Sequence, residues 1–539
     1  MHPSALAKRL YILLFIVIVV FYFYGLGSLP LLGPDEPRYA QVAREMFLRG
    51  DPITPTLGGH TWFEKPALLY WMLMAAFKVF GVNEWSARIG PAVCGLLTIA
   101  AVWRVGREVE RTSEQAGDFS DQARDFSFWS VLVAASSLGL IVFARGVSFD
   151  IVITMTTAWA LAFFLLGELR REKRSAFLIG FYISVGLSLL AKGLVGIVIP
   201  FGVVGVYYVL RREWPRREIW FSLIWGLPIA IAVAALWYGP VIARHGRLFV
   251  DEFFIQHHFA RYVSNKYHHP QPVYFYPAII LMLALPWTAF LVEAIGKVRR
   301  WLWRGSDSLN IVRVFSLAWL AMPIVFFSFS GSKLPGYILP ALPAAAFLIA
   351  DRFIDSVSKW SLRATGAICL VLAAGAFVYA LQSREISLGC ATMIAVPLLA
   401  AAVASFAKQR ERRLSPVLIC GSTFVLVMVV SICAAPAVGQ RESVKDLLQL
   451  ADARGYAGAP VLAQRSDDRS AQFYAHDRVV YNADGEPITF DEVSLAQARA
   501  LGDRIVVFIP LEYAGDFKSA PNMELLGDNG RLAVFGWKP

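Results

Sequence analysis

Charged residues are scarce in this chain of 539 residues, at 17% of the sequence, whereas an ordinary soluble protein has about 25%. Hydrophobic residues make up 57%, and the mean hydropathy is +0.53. A chain of this composition cannot bury its apolar surface in one or two soluble cores. The composition therefore excludes a cytosolic enzyme and a disordered scaffold, and it predicts a protein of the lipid bilayer.

Cysteine is also rare, and its placement excludes a disulfide-stapled secreted domain. All of the cysteines lie within or beside apolar stretches, and their spacing offers neither a metal-binding knot nor an obvious disulfide framework. They are Cys94, Cys369, Cys390, Cys420 and Cys433. We therefore expect buried thiols that act as small apolar side chains.

The motifs of several soluble enzyme classes are missing. The sequence has no His-Glu-x-x-His, and no Gly-x-Ser-x-Gly, P-loop or dinucleotide fingerprint with the right flanks. The net charge is +11, but the basic residues do not form one patch with interleaved aromatics, so nucleic acid is not predicted as a partner. No charge lies near the middle of an apolar run, which argues against an ion-coupled pump.

Long apolar runs are what the sequence has in abundance, at about thirteen places suited to transmembrane helices. They cover residues 10–27, 89–103, 128–144, 151–167, 177–191, 193–210, 219–243, 273–292, 314–332, 334–350, 364–381, 386–407 and 414–438. Every second loop is basic, starting with Lys8 and Arg9, as expected for cytoplasmic loops. The pattern predicts an all-α polytopic membrane protein with a cytoplasmic N-terminus and an outer C-terminus. The first run lacks a clear cleavage site and is interpreted as an anchor.

Two stretches outside the bilayer are long enough to fold. In the first outer loop, residues 28–83, an amphipathic pattern that includes Tyr39, Val42 and Met46 predicts a helix on the membrane surface. A second short apolar helix, over residues 66–80, is predicted to be interfacial. The chain thus divides into a membrane domain, residues 1–438, and a small soluble α/β domain, residues 439–539. In that tail domain we expect a helix over 443–453 and strands over 460–463, 479–481, 505–509 and 532–535.

Cations collect in the predicted outer loops, the side that positive charge normally avoids in short loops. They are Lys65, Arg145, Lys192, Arg244, Arg247, Arg261, Lys266 and Lys333. For a single residue, snorkelling of the side chain to lipid headgroups is an equally good interpretation. As a set, they indicate an anionic ligand at the outer leaflet, such as the phosphate of a lipid.

Carboxylates lie in the same loops, each with a structural alternative. Asp35 and Glu36 open the amphipathic helix, where Asp35 could serve only as an N-cap with Pro37 in the first turn. Asp150 stands at the start of the fourth apolar run, where the helix dipole favours a carboxylate. Glu64 could form merely a solvated pair with the lysine that follows it.

Histidines raise the question of a metal ion. His257, His258, His268 and His269 form two adjacent pairs, but neighbouring histidines rarely point at one ion and no carboxylate recurs beside them at ligand spacing. Glu64 and His245 are weak further candidates. We predict no firm metal site and no required cofactor, and leave a divalent metal as an open alternative.

Three motifs, in this order, give the sequence a resemblance to a known family. They are Gly-Pro-Asp-Glu-Pro-Arg-Tyr-Ala at 33–40, Trp-Phe-Glu-Lys-Pro-Ala-Leu-Leu-Tyr-Trp at 62–71, and Ser-Gly-Ser-Lys-Leu-Pro-Gly-Tyr-Ile-Leu-Pro at 330–340. The first resembles the first outer loop of the GT-C glycosyltransferases, in the protein O-mannosyltransferase-like branch. Together they resemble the bacterial undecaprenyl-phosphate 4-amino-4-deoxy-L-arabinose (aminoarabinose) lipid A transferases over the whole chain.

The resemblance implies an inverting transferase of the bacterial inner membrane. It would move aminoarabinose from undecaprenyl phosphate to a lipid A phosphate at the periplasmic face, which confers resistance to polymyxin and cationic peptides. Membrane lipids are the further partner. The family's functional residues map onto Asp35 and Asp150 as catalytic groups. Those mapped as substrate-binding are Glu36, Arg38, Tyr39, Glu64, Lys65, Lys192, Arg261, Lys333 and Tyr337.

Elementary chemistry fits this expectation with one adjustment. Cations such as Lys65, Lys192 or Arg261 would stabilise the polyprenyl phosphate as it leaves. A lipid A phosphate is already largely ionised at neutral pH, since the second pKa of a phosphomonoester is about 6. Asp35 is therefore expected to orient groups or pair with the sugar's ammonium, whereas a hydroxyl acceptor would need it as a base. The alternatives are a transferase of hexose from a polyprenyl phosphate to protein or cell-envelope glycan, a lipid flippase, and a non-catalytic assembly protein.

Overall fold

The computed structural model describes residues 5–115, 125–253, 271–383, 385–407, 414–463, 469–482, 485–490, 493–517 and 522–539. Helices dominate the part that precedes residue 439, and strands occur mainly in the tail that follows it. This division agrees with the predicted all-α membrane domain and small α/β domain.

The helices of the membrane domain follow the apolar runs. They are α1 Ala5–Phe23, α2 Glu36–Arg49, α3 Leu68–Phe80, α4 Glu84–Gln115, α5 Phe126–Ser136, α6 Leu138–Ala144, α7 Phe149–Leu169, α8 Arg174–Lys192, α9 Val195–Arg211, α10 Arg217–His245, α11 Arg247–Val250, α12 Phe275–Leu283, α13 Thr288–Gly296, α14 Ser308–Ser328, α15 Leu342–Asp355, α16 Lys359–Ser383, α17 Leu388–Phe406 and α18 Leu414–Cys433. Three 3₁₀ segments, Arg171–Lys173, Val298–Arg300 and Pro335–Ala341, join them. The first outer loop also holds a short hairpin of β1 Thr56–Leu57 and β2 His60–Thr61.

All thirteen predicted apolar runs contain helix, but the predicted count of spans is not confirmed. Within the described ranges, nine helices are long and apolar enough to cross a membrane, or ten if the bent pair α5–α6 is one span. That pair bends by 59°. Run 273–292 is divided between α12 and α13, with Pro286 between them, and α9 has only 17 residues. The number of candidate spans is thus lower than predicted because some of the predicted runs form broken or short helices.

The basic loops predicted to be cytoplasmic meet one another at one end of the bundle. Arg170 lies 3.5 Å from Glu108, and Arg174 donates to Glu218 at 2.6 Å. Arg211 donates to the carbonyl of Gly305 at 3.0 Å. These contacts join α7 to α4, α8 to α10, and α9 to the segment before α14, which agrees with the alternation of basic loops.

Helix α19 Ala435–Glu442 spans the predicted boundary at residue 439. The tail domain continues with α20 Lys445–Ala451 and a π-helical turn, Asp452–Tyr456. Its four-stranded sheet has the order β3-β4-β6-β5, where β3 is Val461–Ala463, β4 Ile505–Pro510, β5 Met523–Asp528 and β6 Leu532–Trp537. Strand β3 is parallel to β4, and the other pairs are antiparallel. Short helices α21 Ser470–Tyr474, α22 Leu495–Leu501 and α23 Ala514–Phe517 and a 3₁₀ turn, His476–Arg478, complete it. Residues 479–481, predicted as a strand, form only isolated bridges.

Helix α2 does not lie open on a membrane surface as predicted. One side packs on α3 and the other is covered by α21 of the tail domain, so that even Gln41 and Arg44 are buried. The amphipathic pattern correctly predicted the helix, but its polar face meets protein.

The prediction that every cysteine is a buried thiol is wrong for two of them. Cys390 and Cys433 form a disulfide between the start of α17 and the end of α18, with their Cα atoms 5.6 Å apart. Cys94, Cys369 and Cys420 are free and buried, as expected.

Candidate active site

A cavity of about 370 Å³ lies where the predicted outer segments meet. Its walls come from the first outer loop, the turn between α6 and α7, the α8–α9 junction and the segment from the end of α14 to the 3₁₀ helix. The predicted site residues that line it are Asp35, Glu36, Tyr39, Glu64, Lys65, Asp150, Lys192 and Tyr337. Residues more than 300 positions apart in sequence are thus brought to one place, as the resemblance implied.

The first outer loop contributes a chain of alternating charges. Arg38 Nη2 lies 2.5 Å from Asp35 Oδ1 and 3.7 Å from Glu64 Oε2, and Lys65 Nζ donates to Glu64 Oε1 at 2.7 Å. Asp35 is at the N-cap position of α2, but its side chain makes no capping hydrogen bond. The capping interpretation is therefore wrong, and the carboxylate, which is half exposed, faces the cavity instead.

A second cation–carboxylate pair lines the same cavity. Lys192, the last residue of α8, donates to Asp150 Oδ1 near the start of α7, and its Nζ lies 4.3 Å from the centre of the Tyr337 ring. A β-carbon on Gly336 would lie 1.9 Å from Asp150 Oδ2. Because that distance is far below contact, only glycine at position 336 leaves room for Asp150 where it is.

Glu36 lines the cavity, but its oxygens are held by the scaffold. Oε1 accepts from Arg88 Nε at 2.7 Å and from the Val147 amide at 2.9 Å, while Oε2 accepts from the Leu32 amide at 2.9 Å. Sequence reasoning missed Arg88, although it directly precedes an apolar run at its outer end. The geometry gives Glu36 a role in holding the loop, and the substrate-binding role that the resemblance implied stays a prediction.

Several other predicted cations point elsewhere. Lys333 is buried, and its Nζ donates to the carbonyls of Gln271 and Ser330, so it ties two loops together beside the cavity. Arg145 donates to backbone carbonyls at the end of α1. Arg244 pairs with Asp51 at 2.8 Å. Their positions do not support direct contact with a ligand in this cavity.

No cluster of three or more metal-ligating side chains occurs within the described ranges. Glu64 is paired with Lys65, and His245 Nε2 lies 2.8 Å from Thr54 Oγ1. Arg261, Lys266, His257, His258, His268 and His269 lie outside the described residues.

Burial and charge act together on Arg38 and Tyr39. Burial alone would lower the pKa of the Arg38 guanidinium, but the negative charges of Glu64 and Asp35 outweigh burial and raise that pKa. Burial raises the pKa of Tyr39 well above its usual value, and the nearby carboxylates add to the effect. Arg38 therefore stays charged and Tyr39 stays protonated, so the loop keeps a fixed cation between its two acids.

The arrangement can bind a phosphate and stabilise it as a leaving group. The side chains of Lys65 and Lys192 both line the cavity, and both ammonium groups can form charge-assisted hydrogen bonds to phosphate oxygens. Apolar residues complete the wall, among them Val142, Phe143 and Phe327. A site that combines both surfaces suits an amphiphile whose headgroup is anionic.

Comparisons with known proteins show what the chain is similar to. Residues 64–238 match the family described as dolichyl-phosphate-mannose-protein mannosyltransferase. The chain is 30% identical over 389 residues to the undecaprenyl phosphate-alpha-4-amino-4-deoxy-L-arabinose arabinosyl transferase of Yersinia enterocolitica. This alignment covers 70% of this chain and 65% of that protein. For the protein of the same name from Pseudomonas aeruginosa the identity is 28% over 388 residues, covering 70% and 66%. The chain thus matches slightly less than two thirds of the length of these relatives.

Solved structures share the fold. The crystal structure of ArnT from Cupriavidus metallidurans bound to undecaprenyl phosphate superposes with a TM-score of 0.78 at 23% identity, covering 98% of both chains. The apo structure of the same protein gives a TM-score of 0.77. The likeness extends over the membrane domain and the tail domain alike.

Proposed function

Because this chain has the GT-C fold and is related in sequence to the aminoarabinose transferases, we propose that it transfers 4-amino-4-deoxy-L-arabinose from undecaprenyl phosphate to a phosphate of lipid A. An oxygen of the acceptor phosphate attacks the anomeric carbon, the bond from that carbon to the carrier phosphate breaks, and undecaprenyl phosphate leaves as an anion. The observation that carries the proposal is the cavity in which Asp35 lies with two lysines, each held by a carboxylate.

The charge of the site favours an aminosugar on the donor. Around the cavity, the carboxylates of Asp35, Glu36, Glu64 and Asp150 are matched by the cations of Arg38, Arg88, Lys65 and Lys192. An aminoarabinose phosphodiester is a zwitterion, so binding it keeps this balance, and its ammonium can approach Asp35. A neutral hexose on the same carrier would bring one uncompensated negative charge into the site.

The pairing of the carboxylates also favours an ionised acceptor. Asp150 is bound by Lys192, Glu64 by Lys65, and Asp35 by Arg38. In each pair the cation occupies a carboxylate oxygen that would otherwise be available to accept a proton. A hydroxyl acceptor on protein or glycan needs a base, whereas a lipid A phosphate has already lost its protons. We accordingly assign Asp35 an orienting role.

We further propose that the cavity faces the periplasm, that the N-terminus is cytoplasmic and that residues 439–539 form a periplasmic domain after the membrane domain, residues 1–438. The Cys390–Cys433 disulfide supports this orientation, since it joins helix ends on the predicted outer side and disulfides persist in the oxidising periplasm. Adding an ammonium to lipid A would lower its negative charge and so weaken the binding of polymyxin and other cationic peptides.

Mass spectrometry of lipid A from cells with and without this chain tests the proposal. We expect an added aminopentose that depends on the chain. Unchanged lipid A beside a newly glycosylated protein would instead support the alternative, transfer from a polyprenyl-phosphate hexose.

A further inference from the structure

The loop that leads into Asp35 is held by side chains at four consecutive residues. Arg88 donates to the carbonyls of Leu29 and Pro30 at 2.8 and 2.7 Å. The Leu31 amide donates to the hydroxyl of Tyr474 at 2.7 Å, and the Leu32 amide donates to Glu36. Three of these four hydrogen bonds come from Arg88 and Glu36, which precede the tail domain in sequence, but Tyr474 belongs to the tail domain.

The Tyr474 hydroxyl sits in the middle of a short hydrogen-bond chain. It accepts from Leu31 and donates to Glu84 Oε1 at 3.0 Å, and the same oxygen accepts from Lys445 Nζ at 2.6 Å. Burial raises the pKa of Tyr474, so the hydroxyl stays protonated and can act as donor and acceptor together. Leu31 is fully buried, which leaves its amide dependent on this one partner in place of water.

Two further contacts bring the tail domain onto the same loop. The Arg44 guanidinium lies 4.0 Å from the centre of the Phe473 ring and donates to the Phe473 carbonyl at 2.8 Å. A β-carbon on Gly58, in the β1–β2 turn, would lie 2.4 Å from the ring of Tyr481. The tail domain therefore touches the first outer loop both before Asp35, at Leu31, and after Arg38, at Arg44 and Gly58.

We propose that the tail domain is part of the active-site scaffold and that Tyr474 is a positioning residue, which fixes the backbone at Leu31 and through it the placement of Asp35. This inference rests on the proposed function for its kinetic consequence. The structural part stands independently of it, because Tyr474 holds the loop whatever the sugar or the acceptor.

The Tyr474→Phe variant of the full-length chain removes only the hydroxyl. We expect kcat for transfer to fall about tenfold, because a small displacement of a catalytic group is costly, while KM for the lipid-linked donor stays within about twofold of wild type. Hydrogen–deuterium exchange should become faster in the segment 27–36 and stay unchanged in the tail sheet. Tyr513→Phe, at a half-exposed position of the same domain, is the matched control and should change neither quantity.

Each outcome decides the inference. Wild-type kcat together with unchanged exchange over 27–36 overturns it. Faster exchange throughout residues 439–539, with a loss of activity that matches the loss of folded protein, also overturns it, because Tyr474 would then serve only the tail's own stability. If the wild-type chain transfers no aminosugar at all, the proposed function fails, and the exchange experiment still decides whether Tyr474 holds the loop.

Discussion

The ammonium of Lys192 lies 4.3 Å from the centre of the Tyr337 ring while it donates to the Asp150 carboxylate. Three segments that are distant in sequence thus hold one cation at the wall of the cavity. Both partners restrict the position of the lysine side chain. An ammonium has three N–H donors, so those not used by Asp150 can still bind a phosphate oxygen.

Replacing Lys192 with methionine should lower kcat by about a hundredfold, the usual effect of removing one preorganised group that stabilises a developing anion. A transfer assay with purified protein measures it. Lys297→Met is the control, because that lysine pairs with Glu293 at the opposite end of the bundle and should leave kcat unchanged. Equal rates for the two variants would remove Lys192 from the mechanism.

Asp35→Asn should abolish detectable transfer without unfolding the protein. The carboxylate is half exposed and makes no capping bond, so the change costs α2 little, yet the sugar's ammonium loses its anionic partner. Asp51→Asn in the same loop is a matched control that keeps the acceptor oxygen for the Ile53 amide. Thermal unfolding of each variant checks integrity, and full activity in Asp35→Asn would contradict the assigned role.

Gly336→Ala should reduce activity severely, by about tenfold or more, because a new methyl group forces Asp150 and with it Lys192 out of place. The control is Gly375→Ala. Gly375 is in α16, where an added β-carbon would meet no atom within 4 Å, so this change should be neutral or slightly stabilising. Kinetics and melting temperature separate the two cases. A fully active Gly336→Ala enzyme would show that the Asp150–Lys192 arrangement is not needed.

Cys390→Ser frees the thiol of Cys433, which is partly exposed at the predicted outer end. A membrane-impermeant maleimide should label this variant in intact spheroplasts, whereas the wild-type chain, with its disulfide formed and its other cysteines buried, should stay unlabelled. Labelling that requires permeabilised membranes would place this end of the bundle in the cytoplasm.

The fold was largely predictable, because the apolar runs and the basic loops can each be recognised from a short stretch of sequence. Each apolar run becomes a helix, since in lipid the backbone must satisfy its own hydrogen bonds. Breaks within a run are harder to predict, as at Pro286 between α12 and α13. Strand β5 was not predicted, because Met523–Asp528 lacks the alternation of polar and apolar residues and the β-branched residues that are typical of strands.

The site was predictable as a set of motifs but not as a set of contacts. Asp35, Lys65 and Lys192 do share one cavity, whereas Lys333 binds backbone carbonyls beside it. A sequence pattern can place a lysine or arginine in an outer loop, but the direction in which its side chain points depends on tertiary packing. For the same reason neither the Cys390–Cys433 pair nor the contact of Tyr474 with the first loop could be inferred from spacing.

The most direct test of the account is transfer by the purified chain in vesicles that contain the aminoarabinose carrier lipid and lipid A, with both products measured by mass spectrometry. We predict aminopentose on a lipid A phosphate and an equal amount of released undecaprenyl phosphate with the wild type, and neither product with Asp35→Asn. Carrier consumed without any sugar on lipid A, or equal turnover by the two proteins, would contradict it.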